Sequence, residues 1–427
     1  MCGRAVSLAG NPKGGDADAI IRASGSRGEA SEKVEAIAVR EHINRIIRKG
    51  GRMARQTKSA RQRSPQVPWT GDKYASMDNT PDKEEPKELE ELRIRSPIYL
   101  TAIKRGIVPK VETIDKEGTW VLELGDQLMM GRPGQDAKML PRATVKRGAV
   151  AEIKPGIPSW RGITYHPKIV GPRDKELLAR VSGKKIVPHG YIFGSDDRQV
   201  YYPSGYPWCC VGKVEVWYIV GTTWYSYGSG TGALVGDNIM VTASHMFPWF
   251  VGALGMGWAM KFTPAYYDGV STYGSGIYSW CQSGYGYSNH SQGDDMIVMR
   301  LYTPLGNTLG WFGSKTYNDD WEDGNYWTKC GYPGALASGS RPSRIMWYPI
   351  VDDDSDGAGV ELEYKADSSG GDSGGPVFGW WDNGPHLVGV HSGGEEEYHF
   401  PWYIVKNNVA AGGSILPNLI IWAQNNW

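Results

Sequence analysis

The sequence predicts an all-β core in the C-terminal half of the chain. The first observation is texture. From about residue 186 short apolar segments alternate with Gly, Asn and Asp turns, and no helical periodicity separates them. The second is the distribution of rings: of 18 Trp, only Trp69, Trp120 and Trp160 precede residue 190. A Gly-, Trp- and Tyr-rich stretch with short apolar runs suits an aromatic-filled β domain. The third is charge. Up to Gly190 there are 36 Lys+Arg and 23 Asp+Glu, and beyond it 10 and 23, so a chain of zero formal net charge is about +13 in one part and −13 in the other. Opposite fields of that size favour mutual docking, and two independently soluble halves are the plainer alternative.

Taken in order, residues 1–30 read as a polar Gly/Ser-rich tail. Residues 31–49 place Val34, Ile37, Val39, Ile43, Ile46 and Ile47 near a 3.6 period and predict a helix ended by Gly50-Gly51. Residues 51–95 are charged, with Pro at 65, 68, 81 and 86, and predict disorder or a linker. Residues 96–180 mix short strand-like pieces such as TWVLEL (119–124) with basic loops. Beyond them, 211–221, 232–243, 295–302 and 385–394 read as strands and turns, and 416–424 as a terminal helix. The expected division is a tail over 1–95, a basic region over 96–185 and a third domain over 186–427.

No run approaches the ~18 apolar residues of a membrane span. The start, MCGRAVSLAGNPKGG, has no apolar core of a secretory signal, so either export by that route is absent or this is not the true start. Four cysteines (Cys209, Cys210, Cys281, Cys330) fall in the later part. One or two disulfides are open to them, with no pairing deducible. On a strand, adjacent Cys209 and Cys210 would face opposite ways. There is no CxxC spacing for zinc. No metal, cofactor, nucleic acid or membrane partner is expected.

Three stretches carry chemistry. MVTASHMF (240–247) sets His245 after an apolar strand and two small residues. GDDMIVMRL (293–301) opens a strand with aspartates. GDSGGPVF (371–378) sets Ser373 among glycines before another strand. Acyl transfer by serine needs a base for the hydroxyl proton, an acid to hold that base, and donors for the oxyanion. These stretches offer His245 as base, Asp295 as acid and Ser373 as nucleophile. The amides of Gly371 and Ser373 are the candidate oxyanion donors. Asp295 is preferred to Asp294 because period-2 alternation puts it on one face with Ile297, Met299 and Leu301. His290 is a rival base in a loop-like context. GDSGG also fits the GxSxG elbow of α/β-hydrolases, but only 54 residues follow Ser373 and no βαβ pattern precedes it.

VTASH, DMIVMRL and GDSGGPV, in the order His, Asp, Ser, resemble the three motifs of chymotrypsin-fold serine proteases. Within that class IVPHGYIFGSDDRQV (186–200), TKCGYPG (328–334) and GVHSGG (389–394) resemble the staphylococcal glutamyl endopeptidase branch. The resemblance covers about 186–427. It implies two six-stranded β-barrels with a C-terminal helix, behind a mixed and partly disordered prosegment. It implies a serine endopeptidase acting on proteins or peptides as a monomer, and an extracellular location. Met246 and Ser369 stand where many relatives carry cysteines, so the usual bridges there are absent.

The resemblance also marks the pocket. Asp367, Ser368, His391, Ser392, Gly393 and Gly394 occupy its positions. His391 and Ser368 match residues that contact an acidic side chain in the glutamyl branch, where the free mature N-terminus adds positive charge. Cleavage between Lys185 and Ile186 would create such a terminus, making the N-terminal part a prosegment partner. Asp372 would be able to pair with the new ammonium. Against an acidic preference, Asp367 stands where trypsin-like enzymes hold the acid that selects Lys or Arg, and Glu395–Glu397 follow. Acidic and basic specificity both stay open, as does a non-catalytic binding module on the same fold.

Overall fold

Alternating burial makes Val211–Val220 a strand, β1: Val214 and Val216 face the main core while Lys213, Glu215 and Trp217 face the other way, where Trp217 and Ile219 join a smaller apolar cluster. This is seen in a computed structural model that describes residues 66–94, 151–171, 190–221, 223–254, 256–287, 291–399 and 403–427. It also describes the strand backbone at Lys110–Thr113, Trp120–Leu124 and Gln127–Gly131, which form an antiparallel three-stranded sheet. The predicted helix at 31–49, the Lys185–Ile186 junction and His290 lie outside the described residues. The chain divides into two units, one of which spans 65–396 and 406–427.

β1 is followed by β2 (Thr223–Gly236), β3 (Ile239–Thr242), β4 (Gly257–Pro264), β5 (Ser279–Gly286) and β6 (Ile297–Leu301). They close a six-stranded barrel in the order β5-β6-β3-β2-β1-β4. β3 and β6 are antiparallel neighbours, with Thr242 opposite Ile297. The end of β3 therefore meets the start of β6. That register places His245, three residues past Thr242, next to Asp295, two residues before Ile297.

The later strands are β7 (Trp327–Gly331), β8 (Ser343–Tyr348), β9 (Ile350–Asp356), β10 (Gly359–Tyr364), β11 (Pro376–Trp381), β12 (Gly384–His399) and β13 (Tyr403–Gly412). Where the resemblance implies a second barrel, they join a ten-stranded sheet. Its path runs β9-β10-β13-β12-β11-β7-β8 and ends on Gln199–Val200. Gly313–Lys315 adds to β12 in parallel and Glu152–Ile153 adds to that. The predicted rings fill this interior: Trp208, Trp258, Trp327, Trp380 and Trp381 are fully buried. The terminal helix, Ile415–Asn426, buries Leu416, Leu419, Ile420 and Ala423.

Two expectations are corrected. Residues 66–94 are not a disordered linker: Trp69, Tyr74, Leu89 and Leu92 are buried in the main core. Average composition hid these few anchors among charged neighbours. Cys209 and Cys210 do not face opposite ways. They lie in a 3-10 turn, Trp208–Cys210, and both thiols donate to the Leu309 carbonyl. All four described cysteines are buried free thiols.

Candidate active site

The turn carrying Ser373 needs its glycines. Gly371 has φ +104° and Gly374 φ +82°, the left-handed region that side chains avoid. A Cβ on Gly371 would lie 2.4 Å from the Tyr332 carbonyl oxygen, and one on Gly374 2.1 Å from Thr242 Oγ1. The turn is tied down from several sides. The Ser373 carbonyl accepts from the Thr231 amide at 2.8 Å, the Gly371 carbonyl from Thr231 Oγ1 at 2.8 Å, and the Gly374 amide donates to the His391 carbonyl at 2.8 Å. Among the described residues the amides of Gly371 and Ser373 donate to no protein acceptor. They are the pair left open for an incoming anion.

His245 follows β3 in a single 3-10 turn, Ser244–Met246. Ser244 donates to the Tyr287 carbonyl and pins that turn. Asp295 grips His245 twice: one carboxylate oxygen accepts the backbone amide at 2.8 Å, and the other lies 2.6 Å from Nδ1. Ser392 Oγ donates to that second oxygen at 2.6 Å. Asp294 turns away and accepts the Ala358 amide at 3.1 Å. An ionised Asp295 keeps the proton on Nδ1 and the lone pair on Nε2, the tautomer a general base requires. A Cβ on Gly374 would also lie 2.9 Å from the Ala243 amide, so the Ser373 turn is packed against the strand end that leads to His245.

Burial disfavours the imidazolium, but the Asp295 carboxylate outweighs it and raises His245 above its ordinary 6.5. Burial likewise opposes ionisation of Asp295. The imidazolium and the hydrogen bonds from His245 and Ser392 hold it below the usual carboxylate range.

Asp372, the residue before Ser373, sits in a sealed ionic cluster. Asp372 Oδ2 lies 2.7 Å from Arg198 Nη1 and 3.2 Å from Lys329 Nζ, and accepts the Ser369 amide at 3.0 Å. Its other oxygen fits against Gly331, where a Cβ would lie 2.1 Å away. Arg198 also donates to Asp196 at 2.6 Å and to Ser369 Oγ at 2.9 Å. Lys329 donates to the Asp367 carbonyl at 2.7 Å and to Ser368 Oγ. Burial pushes Lys329 down to about 8, with Asp372 opposing the fall. Burial alone would raise Asp372, but Lys329 and Arg198 overcome it and hold it low. Asp372 thus has two cations from the chain itself, before any new ammonium is made.

The pocket residues divide in two. Asp367 is buried, and its carboxylate oxygens accept the Phe193 amide at 2.7 Å and the Asp197 amide at 3.0 Å. His391 joins Tyr364 and Ser368: Nδ1 lies 2.7 Å from the Tyr364 hydroxyl and Nε2 2.8 Å from Ser368 Oγ. Ser392 supports Asp295 through its hydroxyl. Gly394 gives room to the Tyr191 ring, where a Cβ would come within 2.7 Å, and Gly393 faces Gln292. Residues 190–193 lie beside this wall, with the Ser368 amide donating to the Tyr191 carbonyl at 2.9 Å. On the rim, Glu396 pairs with Lys406 at 2.9 Å.

Sequence reasoning missed Arg198, Lys329 and Tyr364. A signal existed for Lys329, a lone charge inside the buried strand WTKCG. None existed for Arg198, whose partner Asp372 is 174 residues away.

The trypsin family matches residues 216–409. The chain is 28% identical over 243 residues to an extracellular metalloprotease of Bacillus subtilis, covering 55% of this chain and 70% of that protein. It is 29% identical over 214 residues to a glutamyl endopeptidase of Bacillus licheniformis, covering 48% of this chain and 61% of that one. Among the described residues no group of three or more His, Cys, Asp or Glu is placed to hold a metal ion. Among solved structures it is similar to a Glu endopeptidase in complex with MPD, with TM-score 0.40, 19% identity, and coverage of 55% of this chain and all of that one. It is also similar to the protease Anisep from Arthrobacter nicotinovorans, with TM-score 0.37, 18% identity, and coverage of 54% and 100%. With residues 216–409, from β1 to β13, matched by the trypsin family and a relationship to the glutamyl endopeptidases, this stretch is a trypsin-like serine protease domain, that of a peptidase.

Proposed function

We propose that this protein is a serine endopeptidase whose nucleophile is Ser373. The observation that carries the reading is the doubly bound His245–Asp295 pair, set beside a glycine turn with two unused amides. His245 Nε2 takes the Ser373 hydroxyl proton as Oγ adds to the substrate carbonyl carbon. The oxyanion forms between the amides of Gly371 and Ser373. His245 returns the proton to the leaving amine, the C–N bond breaks, and an acyl-enzyme remains. Water, deprotonated by His245, then releases the acid and restores Ser373. Labelling by a fluorophosphonate tests this: the full chain labels and Ser373→Ala does not. A folded chain that never labels would favour a binding module on the same fold.

The favoured specificity is an acidic side chain at P1, read by Ser368 and His391. Asp367 is poorly suited to select Lys or Arg, because both its oxygens already accept backbone amides. The rim carboxylate Glu396 is partnered by Lys406, which lowers its objection to an acidic substrate. Ile186 is four residues before Gly190, a span of at most ~14 Å. An ammonium created there by cleavage after Lys185 would serve this wall beside Ser368, and it has no vacancy to fill at Asp372. A peptide-library cleavage profile decides between acidic and basic P1. The extracellular setting belongs to this reading too. It is supported by the name of the Bacillus subtilis relative.

A further inference from the structure

Residues 66–94 and 151–171 are built into the protease core as deeply as its own strands. Trp69 stacks on Trp380 with centroids 6.3 Å apart, and its amide donates to the Trp380 carbonyl at 2.7 Å. Trp381 answers from the same strand, its ring nitrogen donating to the Gln66 carbonyl at 2.9 Å. Tyr74 meets Trp347 and Trp380 edge-on. The second stretch docks independently. Trp160 donates to the Thr308 carbonyl at 2.7 Å, and Glu152–Ile153 pairs with the strand Gly313–Lys315. Thr164 and Tyr206 join through a 2.7 Å backbone bond, and Trp208 donates to the Thr164 carbonyl at 2.5 Å.

The two stretches also hold each other. Asn79 Oδ1 accepts the amides of Tyr165 at 2.7 Å and His166 at 3.0 Å, and Asp82 pairs with Arg161 at 2.7 Å. Charge is not what docks them. Together they carry seven Lys+Arg against nine Asp+Glu, so the positive excess of the N-terminal part lies in other residues. The anchoring is apolar burial and backbone bonding, both insensitive to salt. Their removal would open the faces of Trp380 and Trp208 to water and leave a strand edge unpaired.

We propose that residues 66–94 and 151–171 are a permanent clasp on the protease domain. A cut between residues 171 and 190, at Lys185–Ile186 or nearby, then yields a two-chain protein and releases no prosegment. The interaction surface is the outer face of β11 with the Thr164-binding turn at 205–208. Its partner is the chain's own N-terminal fragment. The inference does not depend on Ser373 chemistry, and the test is arranged accordingly.

Residues 180–187 of the full chain are replaced by the recognition sequence of a site-specific protease, on a Ser373→Ala background. After cutting, the protein is passed over a sizing column in native buffer and again in denaturant. The expected result is co-elution of both fragments at the mass of the uncut chain, also in 1 M salt, and separation only in denaturant. A folded C-terminal fragment eluting alone in native buffer overturns the proposal. Trp69→Ala and Trp160→Ala, made in the same cuttable chain, should each speed release of the cut N-terminal fragment by about tenfold or more. Asp382→Asn, which touches the exposed Lys73 and Gln66 side chains and the Trp69 ring nitrogen, should change it about twofold. Unchanged retention in both alanine variants would equally overturn the clasp.

Discussion

Asp295 and Asp372 are both buried carboxylates bound to cationic or basic partners near Ser373, yet the two regions use them in opposite ways. Asp295 faces a histidine whose side chain keeps about a quarter of its surface exposed (24%). Its partner gains and loses a proton within reach of solvent. Asp372 faces an arginine and a lysine that are sealed, with side chains 1% and 2% exposed. The Arg198 charge is permanent, and the cluster holds the backbone of the Ser373 turn. The difference teaches that exposure of the partner decides whether a buried carboxylate supports an exchangeable proton or a fixed charge.

The largest expected effect comes from making the first region resemble a neutral one. Asp295→Asn should cut kcat by about 10⁴-fold, because the amide no longer enforces the Nδ1–H tautomer. Steady-state kinetics on a cleaved peptide, with a fold check by circular dichroism, measures it. A loss below tenfold would break the comparison. Next, Asp372→Asn leaves Lys329 and Arg198 facing no buried carboxylate. Urea unfolding should show about 3 kcal/mol of lost stability, the scale for orphaning a buried charge. A change within 0.5 kcal/mol would mean the cluster is not structural.

The pH profile sharpens the contrast. His245 is raised, so its contribution to stability is complete below its ordinary value of 6.5 and fades as pH climbs through its folded value. Asp295 is lowered, so its contribution is complete above the ordinary 3.8 and fades as pH falls through its folded value. The pair therefore stabilises most between about pH 4 and 6.5. Catalysis needs the neutral ring, so activity should rise where that stabilisation fades, with an acid midpoint above 6.5. Asp295→Asn should flatten the stability profile and lower the activity midpoint. A wild-type midpoint at or below 6.5 would contradict the pairing.

Smaller effects follow at the margins. Ser392→Ala removes one donor from Asp295 and should cost about tenfold in kcat/KM, near 1.4 kcal/mol. The smallest expected change is in specificity on Asp367→Asn. The ratio of cleavage after Glu to cleavage after Lys should stay within about threefold, since that carboxylate bonds amides. A switch of P1 class would show that Asp367 reaches the substrate after all.

How much of this was readable beforehand varies residue by residue. His245, Asp295 and Ser373 stand in local patterns, each a strand end with small neighbours. Strand alternation pointed to Asp295 over Asp294, and the pair register of β3 and β6 brings it to His245. Asp367 was ambiguous because a letter in a motif does not say which way its carboxylate turns. That was decided by the amides of Phe193 and Asp197, some 170 residues away. The charge asymmetry between the two parts was real, but it located no contact. The stretches that dock are one acidic (66–94) and one mildly basic (151–171), and what they share is Trp69, Tyr74 and Trp160 as anchors.

The sequence by itself determined the all-β core, the order of the three chemical motifs and the glycines that permit the Ser373 turn. These depend on period, spacing and backbone freedom, all local properties. Only the tertiary structure decided that Arg198 and Lys329 neutralise Asp372, that Ser392 serves Asp295, and that the N-terminal anchors enter the core. Each of those joins residues with no shared periodicity, and burial made the pairing obligatory: a charge or a ring taken out of water must find its partner wherever the fold provides one.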